Sequence, residues 1–104
     1  MINIKFCLHD EIIHEVCIKG HSDSADSGED LVCAGVSSIG VGALNALQEL
    51  AKDKCTLDMK KGFIKIVTTS KDEVTQTILK TLYIQLLSIE EVYKQYIQIE
   101  KVEV

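Results

Sequence analysis

His21 and Cys33 are the residues of this 104-residue chain whose types and placement suit an activated sulfur nucleophile. Cys33 follows the acidic pair Glu29-Asp30 where an apolar helical pattern begins, and is expected in that helix's first turn. Unpaired amide N–H groups and the positive helix end favour a thiolate there. The same amides can hold an oxyanion on a carbonyl attacked by the sulfur. His21 lies across a Gly-, Ser- and Asp-rich stretch and follows Gly20, which allows a sharp backbone turn. A loop of that length can fold back and bring the imidazole to the sulfur. Asp30 either orients His21 or caps the helix. Ser37 falls one turn after Cys33 on the same side, placed to bond within the site or to a backbone carbonyl one turn back. Residue types alone leave plainer readings open: a buried helical cysteine packs as a small hydrophobe, and a loop histidine is usually only solvated.

The elements that must position these groups follow from periodicity. Ile2, Ile4, Phe6 and Leu8 alternate with polar residues, and Ile12, His14, Val16 and Ile18 do the same after the turn His9-Asp10-Glu11. Two such runs predict a hairpin. From Lys19 to Asp30 almost nothing is apolar, which predicts an exposed, mobile loop that substrate binding orders. Val32, Val36, Ile39, Ala43, Leu47 and Leu50 then recur at helical spacing in a helix expected to be largely buried. Its glycines, Gly35, Gly40 and Gly42, each cost about 1 kcal/mol relative to Ala. The small row Gly35, Ser38, Gly42 and Ala46 is therefore expected to meet a second helix or a symmetry mate. Cys55 to Met59 and Phe63 to Thr68 flank Lys60-Lys61-Gly62 as a second hairpin. Ser70 and Glu73 read as a capping box for a helix with Val74, Ile78, Leu82, Leu86 and Ile89 on one stripe. A last strand runs from Val92 to Val102. The order ββαββαβ makes one α+β domain over residues 1–104, two helices on a mostly antiparallel sheet.

Composition narrows the function. The net charge is −5 and all eleven basic residues are lysines, so phosphate-backbone binding is not expected. Cys7, Cys17, Cys33 and Cys55 show no C-x-x-C pair and are read as reduced thiols of a cytosolic chain. Cys7, Cys17 and Cys55 fall in strand patterns and are read as structural. His14, beside Val16, is read as a satisfied core or edge histidine. A metal site from His14, His21 and Cys33 lacks a fourth ligand, so neither metal nor cofactor is expected. The alternating N-terminus does not resemble a signal peptide, and no apolar run is read as reaching the roughly 20 residues of a membrane span.

The run Gly20-His21, an acidic loop, then Asp30-Leu31-Val32-Cys33-Ala34-Gly35-Val36-Ser37 resembles the signature of the ribosomal-processing cysteine protease family, Prp. Its pattern is approximately G-H-A, a loop ending in G-x-D, then [IV]-V-C-A-[AG]-V-S. The chain departs from it at Ser22, Leu31 and Gly35, none of which removes a reactive group. Length and element order also agree. The resemblance implies that His21 and Cys33 are the catalytic pair, with Asp30 and Ser37 at the motif's other polar positions. It further implies a homodimer that trims the N-terminal extension from the precursor of the twenty-seventh large-subunit ribosomal protein, after consecutive phenylalanines. The alternative is a non-catalytic, ribosome-associated binding or assembly module in which Cys33 merely packs.

Overall fold

The first hairpin joins β1 (Ile2–His9) and β2 (Ile12–Lys19) through Asp10 and Glu11. Both turn residues have positive φ, 49° and 69°, as a two-residue type I′ turn requires. The structure is a computed structural model describing residues 1–20 and 27–104. Helix α1 (Ser27–Leu50) leads to the second hairpin, β3 (Cys55–Lys60) and β4 (Phe63–Thr68), turned at Lys61 and Gly62. Helix α2 (Glu73–Val92) and β5 (Ile97–Glu103) complete the predicted ββαββαβ order. The sheet order is β3-β4-β2-β1-β5, with all neighbours antiparallel except β1 and β5.

Alternation sends Ile2, Ile4 and Phe6 of β1, Val16 and Ile18 of β2, and Ile64 and Ile66 of β4 into one core. Val32, Val36, Leu44 and Leu47 of α1 and Leu79, Leu82 and Leu86 of α2 close it. Each fully buried Leu or Ile contributes about 1.5–3 kcal/mol relative to exposure. One inward position differs from expectation. Between Cys7 and Leu8 the β1–β2 register slips, so Leu8 faces Ile13 and His14 becomes the extra residue of a bulge. The slip reverses the alternation, burying Ile13 in place of Ile12 and His14. The buried Gln76 side chain satisfies the displaced backbone: its Oε1 accepts from Ile13 N at 2.9 Å, and its Nε2 donates to Ile13 O at 2.9 Å.

Several predicted boundaries move. Ser27–Asp30, expected as loop, is already helix, so Asp30 lies inside α1 and is not its cap. The mobility expected of residues 21–26 lies outside the described residues. The α2 cap is Asp72, not Ser70: one Asp72 oxygen accepts from Thr75 N at 3.1 Å and the other from Thr75 Oγ1 at 2.7 Å. Ser70 instead donates its hydroxyl to Asp72. Val74 is exposed and Leu79 takes its place in the buried stripe. Helix α2 persists to Val92, so β5 begins only at Ile97.

α1 is one-sided rather than largely buried, with Leu31, Val41 and Leu50 exposed. Its stretch Asp30–Leu50 is long and apolar enough to cross a membrane, contrary to expectation. In the fold, Val32, Val36, Ala43, Leu44 and Leu47 from this stretch are buried in the core. Of the small row, Gly35 faces α2, where a Cβ would lie 3.5 Å from Ile89 Cδ1, while Gly42 faces open space. The close approach belongs to Gly40, where a Cβ would come within 2.6 Å of Ile64 Cδ1 on the sheet.

The Asp72 cap carries a pH signature. Hydrogen bonds from Ser70 and from the Thr75 hydroxyl and amide hold its carboxyl down at about 2, from an ordinary value of 3.8. A lowered folded value means stability that is fully present above the unfolded value and lost as pH falls through the folded one. The melting temperature of Asp72→Ala should therefore lie below wild type at neutral pH, with the gap closing between about pH 4 and pH 2. Thermal melts across that range check it; a gap that stayed constant would remove Asp72 as the cause.

Candidate active site

Gly20 follows β2 directly, in a conformation reserved for glycine, with φ of +115°. Its N–H donates to Gly62 O at 3.0 Å, tying it to the second hairpin's turn. A Cβ here would lie 2.6 Å from Met1 O and 3.2 Å from Ile2 Cα, both backbone atoms. The point from which residue 21 departs is thus held on two sides. His21 itself lies outside the described residues.

The other end of the motif is built by α1. A Cβ on Gly28 would meet Tyr96 Oη at 2.7 Å, so only glycine lets the first turn lie against that ring. Tyr96 O accepts from Ile2 N at 2.9 Å, which links the helix start to β1. Because α1 begins at Ser27, Cys33 stands in its second turn rather than its first. Its amide is therefore placed within the helical ladder, and the unpaired amides belong to the turn before it. The helix field falls off within about one turn, so it acts on Cys33 less strongly than a first-turn position would allow.

Cys33 is half-buried, packed against the core, and opens on a cleft of about 390 Å³. That volume suits a few side chains of a peptide. Gly20 and Ser37 line the same cleft. The fold therefore brings together Cys33, Ser37 and the residue preceding His21, while Asp30 is exposed on α1 and does not line it. Thr81 and Ser88 of α2 donate to carbonyls four residues back at 2.7 and 2.9 Å. No such back-bond is found for Ser37 among the described residues.

Sequence reading missed the opposite wall. It comes from the second hairpin, through Met59, Lys60, Lys61 and Phe63. Met59 is 56% exposed and Val41 of α1 37%, giving the cleft accessible apolar surface. Lys60 Nζ sits 5.1 Å from the Phe63 ring centroid, a cation–π contact at the lip. A Lys-Lys-Gly turn signalled only a hairpin, and nothing in its sequence announced that the turn faces Cys33.

The remaining cysteines and His14 lie apart. No disulfide joins the four cysteines. Burial first, and then Glu15, raises the Cys7 thiol above its ordinary value; burial also raises that of Cys55. Cys17 is buried. His14 is satisfied as expected, its Nδ1 3.1 Å from Thr68 O. It stands roughly 20 Å of strand from Gly20, at about 3.3 Å per residue, so it does not share the Cys33 cleft.

Known proteins share this fold. The family model described as cysteine protease Prp matches residues 1–98. The ribosomal processing cysteine protease Prp of Staphylococcus aureus (strain Mu50 / ATCC 700699) is 33% identical over 104 residues, covering 95% of this chain and 97% of its own. The protein of the same name from Bacillus subtilis (strain 168) is 30% identical over 98 residues, with 88% of each chain covered. The S. aureus protease solved with a substrate peptide superposes with a TM-score of 0.89 at 28% identity, covering 97% of this chain and 99% of that one. The same protease with a covalently linked product peptide gives 0.86 at 30% identity, with the same coverage. A catalytic chain thus replaces the alternative of a passive binding module. This chain belongs to the Prp family and is a cysteine protease.

Proposed function

We propose that the chain is a cytosolic ribosomal-processing endopeptidase in which His21 and Cys33 act as the catalytic pair. The observation that carries the pair is the shared cleft: Cys33 lines it, and so does Gly20, the residue immediately before His21. His21 takes the thiol proton, or pairs with the thiolate, and the sulfur attacks the scissile carbonyl. His21 then protonates the leaving amine, and water releases the acyl-enzyme. The thiol proton thus leaves on the amine, and a proton from the attacking water, carried by His21, restores the thiol as the acid product departs. Ser37 presents a hydroxyl donor in the same cleft, a candidate partner for the oxyanion now that the Cys33 amide lies in the helical ladder. Asp30 remains a candidate to orient His21.

The substrate in this reading is the precursor of the twenty-seventh large-subunit ribosomal protein, cut after consecutive phenylalanines. Support comes from the names of the S. aureus and B. subtilis relatives, which process a ribosomal component. The apolar wall of Met59, Phe63 and Val41 suits bulky apolar side chains. Ribosome assembly places enzyme and substrate together in the cytosol. Incubating the chain with the precursor, followed by intact-mass measurement, should show loss of the N-terminal extension at one bond. An uncut precursor, or cutting at scattered bonds, would overturn the substrate assignment.

The reading includes a homodimer. Leu31, at 60% exposure and outside the cleft lining, leaves apolar surface on α1 that a second copy would cover. Sedimentation equilibrium should give twice the chain mass at micromolar concentration; a monomer there would remove this part.

A further inference from the structure

The far end of the sheet gathers a second group of ligand-bearing side chains, remote in sequence from the protease motif. The β1–β2 turn and the end of β5 meet there because β1 and β5 pair in parallel, with Leu8 opposite Glu103. Val104 N donates to Leu8 O at 2.8 Å, and Asp10 N donates to Glu103 Oε1 at 3.0 Å. These bonds hold the two segments side by side. One ligand atom each from His9, Asp10 and Glu103 lies within 4.8 Å of the others, and all three residues are exposed.

The imidazole supplies the directional detail. His9 Nδ1 lies 2.6 Å from Val104 O. That oxygen has no hydrogen to give, so Nδ1 carries a hydrogen and donates. This is the outer bond that commonly fixes a metal-ligating histidine, leaving its Nε2 to coordinate. Nε2 lies 3.4 Å from Asp10 Oδ2. At that spacing either a proton on Nε2 makes an ion pair with the carboxylate, or a cation bridges the two atoms. A tetrahedral ion bonded to nitrogen and oxygen at about 2.0–2.2 Å separates its ligands by roughly 3.3–3.6 Å, which includes the observed spacing. Glu103 keeps lone pairs for a cation after accepting the Asp10 amide.

The geometry points to a divalent transition-metal site at His9, Asp10 and Glu103, of the zinc type, completed by water. Imidazole with two carboxylates favours such an ion over magnesium or calcium, whose preferred ligands are all oxygen. Bound there, the ion would pin the end of β5 to the β1–β2 turn. It takes no part in cleavage, so this inference stands apart from the proposed substrate and catalytic pair.

The test is a zinc titration of the full chain carrying Cys33→Ser, so that this thiol does not compete, followed by amide NMR. Saturable shifts are expected at residues 9–11 and 103–104, with a melting temperature that rises with zinc concentration. Separate His9→Gln and Glu103→Gln variants, both at exposed positions, should each weaken binding by at least about tenfold, the loss typical even of outer-shell changes. Saturable shifts absent from these residues, or affinity unchanged in both variants, would overturn the site.

Discussion

Cys33→Ala should lower precursor cleavage by roughly 10⁴–10⁶-fold, the loss seen when a covalent nucleophile is removed from a protease and only binding and oxyanion contacts remain. Two observations separate this from unfolding. Cys33 is only half-buried at the cleft, and it lies in a helix that Val32 and Val36 anchor independently. Losing one partly exposed sulfur should cost no more than about 1–2 kcal/mol of stability. The variant should thus melt close to wild type while turnover disappears. A companion measurement uses the other thiols. Cys7 and Cys55 are held protonated by burial, and Cys17 is enclosed. Brief alkylation at neutral pH should modify Cys33 ahead of the other three. Cleavage by Cys33→Ala above a tenth of the wild-type rate would sink the nucleophile assignment.

His21→Ala should reduce kcat/KM by about 10²–10⁴-fold, the usual worth of a positioned acid–base group. The loss should be smaller than that for Cys33→Ala, because a sulfur without its base remains a nucleophile whereas a methyl group does not. The pH profile separates the role from a structural one. Wild type needs a proton acceptor for attack and a donor for departure, so its rate should pass through a maximum; the variant should lose the limb that reports the imidazole. His21→Gln, which keeps size and polarity, should be as impaired as His21→Ala. Recovery of activity in His21→Gln would reassign the residue to loop packing.

Much of this molecule follows from local pattern. Alternation at Ile2, Ile4 and Phe6 defined β1, and the spacing of Leu82 and Leu86 marked the face of α2, because burial selects periods of two and 3.6. The motif from Gly20 to Ser37 pointed to the candidate pair and to the family, since that chemistry depends on a few residue types at short range. Sequence alone therefore determined element order, family and candidate pair. Tertiary contact decided the rest. Gly28 starts α1 early because it lies under Tyr96, a ring supplied by the far end of the chain, and this moves Cys33 to the second turn. The bulge at His14 changes which β2 residues face inward, and Gln76 of α2 satisfies it. The cleft's second wall, the outer position of β5 beside β1, and the meeting of His9 with Glu103 depend on strands distant in sequence becoming neighbours. Periodicity records which face of an element is buried, but not which element covers it, and a cleft is made by the covering element.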